Sequence, residues 1–147
     1  MILKLVDWPP VWTLAHMALA WLLALLWAPL NVEGMVIGWF VIVASLVLMG
    51  WAALTMMRAR TTIVPGRAPT ALVTGGPFRM TRNPIYLADL GILAGFAFAV
   101  GQPFGALLAF PLLKVLEKRF VLPEEAALQA HAGDAFIEYA GRVPRWL

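Results

Sequence analysis

The chain reads as an all-α polytopic membrane protein, with about four transmembrane helices and a C-terminal interfacial helix. Three observations carry that reading. Of its 147 residues, 62% are hydrophobic and only 13% charged, far from the roughly 45–50% and 25% of soluble domains. Its apolar runs approach the ~20 residues that a bilayer core of ~30 Å takes up as a helix, the conformation that satisfies every backbone polar group from within. All eleven Lys and Arg residues lie at the N-terminus, in one long loop, or beyond Leu113. Residues 1–147 form one domain. With no cysteine, disulfides, thiolate metal sites and a cysteine nucleophile are excluded.

The first apolar run, Val11 to Leu30, is longer than the apolar region of a signal peptide. No small-x-small cleavage site follows it, so it predicts a retained helix. Trp8 and Trp12 are expected at one interface and Trp27 near the other. His16, lying inside the helix, reads as a hydrogen-bonded packing residue. Asn31 to Gly34 is a polar turn and Met35 to Met57 a second run, so residues 11–57 form a helical hairpin. Gly38, Ala44, Ser45 and Gly50 are small enough for close helix approach.

From Arg58 to Asn83 the chain has no helical or alternating period and is broken by Pro65-Gly66, Pro69, Gly75-Gly76 and Pro77. Long segments of this kind are usually functional or disordered. Arg58, Arg60 and Arg67 fit the cytoplasmic charge excess of membrane proteins. Arg79 and Arg82 are set apart by the helix start at Asn83-Pro84: an asparagine oxygen caps free N–H groups, and proline at the first position gives up an N–H that had no partner. Cations and a positive helix end therefore meet at a membrane boundary.

Ile85 to Gly101 is a third run, turned back at Gly101-Gln102-Pro103 into a fourth that starts at Phe104. The fourth run reaches Lys114 early and carries Pro111, a predicted kink. It continues through Glu117, Lys118 and Phe120, with Lys114, Lys118, Val121 and Glu125 on one face. Pro123-Glu124-Glu125 predicts a new helix start. Leu128, Ala132, Phe136 and Tyr139 or Ala140 make an apolar stripe, and the tail is expected to lie along the interface with that stripe down.

The turns at Asn31 to Gly34 and Gly101 to Pro103 carry no Lys or Arg. Both termini and the long loop are therefore placed in the cytoplasm, in a membrane of the bacterial inner type. The bilayer is one partner, and nucleic acid is not expected. A cationic loop, a helix N-terminus and two carboxylates at one interface suit a small zwitterionic or anionic ligand. Asp89 follows Arg82 and Tyr86 on roughly one helix face. It reads either as a structural partner for an arginine or as a direct ligand group, since a membrane carboxylate needs pairing. His16 and His131 have no spacing to carboxylates that suggests a metal, and no dinucleotide, P-loop or nucleophile-elbow motif is present.

The residues carry a resemblance. Thr62, Pro65, Pro69, Leu72-Val73-Thr74-x-Gly76-Pro77-Phe78-Arg79 and Arg82-Asn83-Pro84-x-Tyr86-Leu87 precede a hydrophobic hairpin. Glu124-Glu125-x-x-Leu128, Gly133, Tyr139 and Val143-Pro144-Arg145 follow it. This order resembles the isoprenylcysteine carboxyl methyltransferase and phospholipid methyltransferase superfamily over the C-terminal three-fifths of the chain. Asn83 stands where the family usually has histidine, Ala132 where it has phenylalanine, and Phe136 where tyrosine is common.

The resemblance implies an integral membrane enzyme using S-adenosylmethionine without a Rossmann domain. Gly76, Pro77, Phe78, Arg79, Arg82, Asn83, Pro84, Tyr86, Glu124 and Glu125 would build the cofactor pocket, with Arg82, Asn83 and Tyr86 nearest the chemistry and no metal. The substrate would be a lipophilic small molecule or a lipid. A sulfonium already activates its methyl group, so transfer needs positioning and desolvation above all. Two alternatives stay open: an NADPH-dependent membrane reductase like the sterol reductases, which would need a larger helical body, and a non-catalytic membrane scaffold.

Overall fold

The computed structural model describes residues 8–27, 32–62 and 71–147 and is helical throughout, with no strand among them. Lys4, Asn31, Pro65-Gly66, Arg67 and Pro69 lie outside the described residues. Helix α1 spans Pro9–Leu26 and helix α2 spans Val32–Arg58. At 1.5 Å per residue they are about 27 and 40 Å long. Both are long and apolar enough to cross a bilayer. The second helix begins at Val32, so most of the expected Asn31–Gly34 turn is already helical. Their outer faces are bare: Leu14, Leu25, Val36, Phe40 and Val47 are each more than 60% exposed. Lipid can cover such a surface at no cost; water cannot.

Helix α3, Pro84–Ala99, is the central post. Ala88, Asp89, Leu90, Leu93, Ala97 and Ala99 are all buried on it, because α1, α2 and the following leg pack around it. Its antiparallel neighbour α2 presents Gly38, Ser45 and Ala52, one buried small residue every two turns. A Cβ on Gly38 would meet Gly95 O at 2.6 Å and Phe98 C at 2.8 Å, and one on Gly95 would meet Gly38 O at 2.8 Å. Glycine at both positions lets the two backbones touch. Ser45 seats against Gly91 in the same seam. Gly50 and Ala44 do not share this role: Gly50 faces open space and Ala44 is exposed.

After the turn at Gly101, a 3-10 segment Pro103–Leu108 leads into α4, Ala109–Leu116. Gln102 pins this end, donating from Nε2 to the Trp27 carbonyl at 2.6 Å and accepting from Phe104 N at 3.2 Å. Trp27 stacks on Phe104 with ring centroids 5.8 Å apart. Pro111 makes no isolated kink. It falls in the first turn of α4, where an N–H has no obligatory intrahelical partner.

The break expected at Pro123 is also absent. The helix runs on through a π turn, Glu117–Val121, into α5, Leu122–Ala132. Proline has no N–H and crowds the carbonyl one turn back. The wide turn just before it relieves both, with Leu122 N–H reaching Glu117 O. That widening also rotates the helix, so the predicted common face dissolves: Lys114 and Lys118 are exposed and Val121 is fully buried.

Gly133, at φ +54°, ends α5 and starts α6, Asp134–Arg142. The apolar stripe does not face lipid as expected. Phe136, Tyr139 and Val143 pack together against Leu72, Leu128, Ala132 and Ala140. The reversal at Gly133 folds the tail back on the loop, so the stripe finds protein to cover it.

Candidate functional site

The site is built where the loop, the start of α3 and the tail meet. Gly76–Arg79 forms a single 3-10 turn that buries Pro77 and Phe78. The tail fastens this loop. Tyr139 Oη donates to the Phe78 carbonyl at 2.7 Å, and Arg82 N donates to the Pro144 carbonyl at 3.0 Å. The Arg145 carbonyl accepts from Thr81 Oγ1 at 2.9 Å and from Asn83 Nδ2 at 3.2 Å. Burial, and then the nearby Glu125 charge, outweigh the Arg82 cation and push the Tyr139 phenol up to about 12, so it stays a neutral donor.

Asn83 takes the N-cap position of α3, with Pro84 in the first turn, yet its side chain does not cap the helix. The amide is turned to the tail instead. The α3 N-terminus keeps its positive end uncapped by any side chain.

Arg145 gathers the carboxylates. Its Nε lies 3.2 and 3.1 Å from the two Glu125 oxygens, Nη2 lies 2.8 Å from Glu125 Oε2, and Nη1 lies 3.0 Å from Glu117 Oε1. These hydrogen bonds hold the guanidinium pKa above its ordinary value. Arg82 Nε stands 3.4 Å from Glu125 Oε1, an ion pair without a hydrogen bond, and this buried nitrogen has no hydrogen-bond partner. Glu124 accepts from Tyr86 Oη at 2.8 Å, and the Tyr86 ring stacks on Phe120.

A cavity of about 190 Å³ opens here, room for an organic molecule rather than a single water. Of the residues expected in a pocket, Phe78, Arg82, Asn83, Pro84, Tyr86, Glu124 and Glu125 line it. Gly76, Pro77 and Arg79 do not: Gly76 backs onto Trp51 and Thr55 of α2, Pro77 is buried, and Arg79 points outward. Sequence reasoning missed Met49 and Met56 of α2, Pro9 and Pro10 of α1, and Tyr139, all of which line the cavity. Methionine in a membrane helix gives no sequence signal of its own.

Asp89, one turn beyond Tyr86, is 6% exposed and lines the same cavity. No arginine partners it among the described residues. His16 is half-buried and hydrogen-bonded as expected, donating from Nδ1 to the Trp12 carbonyl at 2.8 Å.

Apolar helices that leave their outer faces bare, two of them long enough to cross a bilayer, surround a cavity whose charged wall lies at one end, the features of a membrane protein with a small-molecule-sized pocket. The phospholipid methyltransferase family model matches residues 33–135, and the chain belongs to that family of integral membrane methyltransferases. No curated protein and no solved structure matches the chain.

Proposed function

We propose that this protein transfers a methyl group from S-adenosylmethionine to a lipophilic or membrane-associated acceptor. One observation carries the reading: Arg82, Tyr86, Glu124 and Glu125, drawn from segments far apart in sequence, share one wall of a cavity set between apolar helices. The residues fit the cofactor's chemistry. Arg82 is ion-paired with Glu125, yet its buried Nε makes no hydrogen bond, so the guanidinium can also take a ligand carboxylate beside the positive end of α3. Glu124 suits an ammonium or ribose hydroxyls, with Tyr86 fixing its position. Phe78, Phe136 and Tyr139 offer apolar ring surface to a purine. Asn83 and Arg145 hold the loop to the tail. When bound, the cofactor supplies an electrophilic methyl group, and the protein's part is to position it and exclude water.

Four helical legs support a four-span arrangement with the charged wall on the cytosolic side. The fourth, Pro103–Leu116, gains length from its 3-10 opening and reaches about 24 Å, the same as α3. Calorimetric titration of the purified protein with S-adenosylhomocysteine and with NADPH tests the reading. Saturable binding of the first alone is expected; binding of NADPH alone would replace methyl transfer with reduction.

A further inference from the structure

The cavity has two unlike walls. The charged one, from the start of α3 and from α5, suits the cofactor. The other is apolar and comes from Pro9 and Pro10 of α1 and from Met49 and Met56 of α2. These four side chains offer a charged cofactor nothing to bind.

Helices α1 and α2 each pack on α3 and make no extended contact with each other among the described residues. The apolar wall therefore straddles two helices that stand apart. On α2, Ser45 and Ala52 are buried in the seam with α3, whereas Met49 and Met56 are only half-buried although both line the cavity; Pro10 lines it too and is exposed. Side chains of this kind stand between inside and outside. Leu46, Val47 and Leu54 beside them are each at least 50% exposed on a face that only lipid covers well, so the outside here is hydrocarbon.

The two methionines are seven residues apart on one face, two turns or about 10 Å along the helix. Met49 lies nine residues before Arg58, about 13 Å from that end of α2. In the proposed orientation this end is cytosolic, so the gap opens in the cytosolic half of the bilayer. Methionine is unbranched and has three rotatable bonds, so it withdraws or advances without backbone movement.

We infer that Met49 and Met56 are specificity-determining residues: they are the movable posts of a slot between α1 and α2 that takes the hydrocarbon part of the acceptor and grades it by bulk. The slot is two turns tall and walled by a helix on each side. An unbranched chain lying along it touches both methionines; a fused ring system must part them. The acceptor rests on the methyl-transfer reading, but the slot can be probed without methyl transfer.

The test uses the full chain in lipid nanodiscs and exploits the absence of natural cysteine. Met56→Cys is the reporter. N-dodecylmaleimide and N-(1-pyrenyl)maleimide are the chain and ring probes, and rates are normalised to those at Val47→Cys on the lipid face. At Met56→Cys the chain should react at least about 10-fold faster than the pyrene, the low end of what an apolar pocket discriminates. Adding Met49→Ala should raise the pyrene rate by about 10-fold with little effect on the chain, and adding Met49→Trp should slow both by about 10-fold. Unchanged S-adenosylhomocysteine affinity shows that these variants fold, and Met49→Ala decides the matter if Met49→Trp does not. With labelled S-adenosylmethionine and total membrane lipid, Met49→Trp should also cut the label entering lipid. Equal normalised rates for chain and pyrene at Met56→Cys, rates indifferent to both changes at Met49, or undiminished lipid labelling by Met49→Trp overturns the assignment. Failure of the wild type to bind S-adenosylhomocysteine, or to label any lipid, overturns the methyl-transfer reading and not the slot.

Discussion

Arg145 and Glu125, on opposite sides of the reversal at Gly133, are joined through both carboxylate oxygens, at 3.2, 3.1 and 2.8 Å. The same arginine also reaches Glu117 at 3.0 Å, while its carbonyl holds Thr81 and Asn83. One residue thus ties tail, loop and α4–α5 leg together. Arg145→Ala should lower thermal stability by about 1.5–3 kcal/mol, the range for hydrogen bonds to charged groups, and toward the lower end because the side chain is 31% exposed. Arg145→Lys should recover less than half, since an ammonium cannot reproduce the fork. Melting curves in detergent measure both, and two unchanged midpoints would show that the clamp is ornamental.

Glu117 gives this clamp a pH dependence. Its desolvation favours the neutral form, but hydrogen bonds from Arg145 and Lys114 outweigh it and hold the carboxyl below its ordinary 4.5. A depressed carboxyl contributes stability that is complete above the unfolded value and lost as pH falls through the folded one. The wild type should therefore lose stability below about pH 4.5, and Glu117→Gln should show a smaller loss over the same window. Parallel acid limbs in the two proteins would remove Glu117 from the account.

Most of the helical frame was legible because bilayer-length apolar runs admit few alternatives. The Pro84 helix start and the hydrogen-bonded state of His16 followed from local chemistry and stand as read. The tail was not legible. Whether Phe136 and Tyr139 face lipid or Leu72 depends on the reversal at Gly133, which no periodicity reports. Pro123 reads as a helix start by propensity, and only the widened turn before it lets the helix continue. The site was half legible: Arg82, Tyr86 and Glu124 were picked out by pattern, but the hydrogen bond between Tyr86 and Glu124 spans the whole second hairpin. Arg145 stood in the quoted pattern without a role, because its value lies in contacts made across that reversal.

The seam between α2 and α3 makes a sharp contrast available. Gly38→Val should strongly destabilise the protein or prevent its folding, because the added atoms would meet the backbone of Gly95 and Phe98 rather than a side chain that can move. Gly50→Val is a change of the same size on the same helix; its Cβ would have nothing within 4 Å, on an exposed face, and it should be tolerated. Comparing monodisperse yield and melting temperature checks this. Equal behaviour of the two variants would mean that the helices do not pack through Gly38.

Orientation is open to a direct measurement. No cysteine occurs naturally, so Thr74→Cys and Glu33→Cys, both at exposed positions, each report one side. With an impermeant maleimide added outside cells, Glu33→Cys should label and Thr74→Cys should label only after lysis. The reverse pattern would put the charged wall outside, where no cytosolic cofactor reaches it.

The last prediction separates the proposed cofactor contacts from the scaffold behind them. Arg82→Ala and Glu124→Gln each change a group on the cavity wall, and each should weaken S-adenosylhomocysteine binding by roughly 1.5–3 kcal/mol, about 10- to 150-fold. Arg58→Ala, at the exposed end of α2, should be neutral. Glu125→Gln behaves differently, because its oxygens already serve Arg145 and Arg82. It should lower the melting temperature of the ligand-free protein, since Arg82 loses its anion and Arg145 keeps only Glu117, and it should weaken binding through a displaced Arg82. The ligand-induced shift, which follows RT ln(1 + [L]/Kd), distinguishes the two kinds of change. A smaller shift on an unchanged ligand-free midpoint marks a contact residue; a fallen midpoint marks the scaffold. If Arg82→Ala leaves both midpoint and shift untouched, the cofactor's carboxylate is held elsewhere and the assigned wall is wrong.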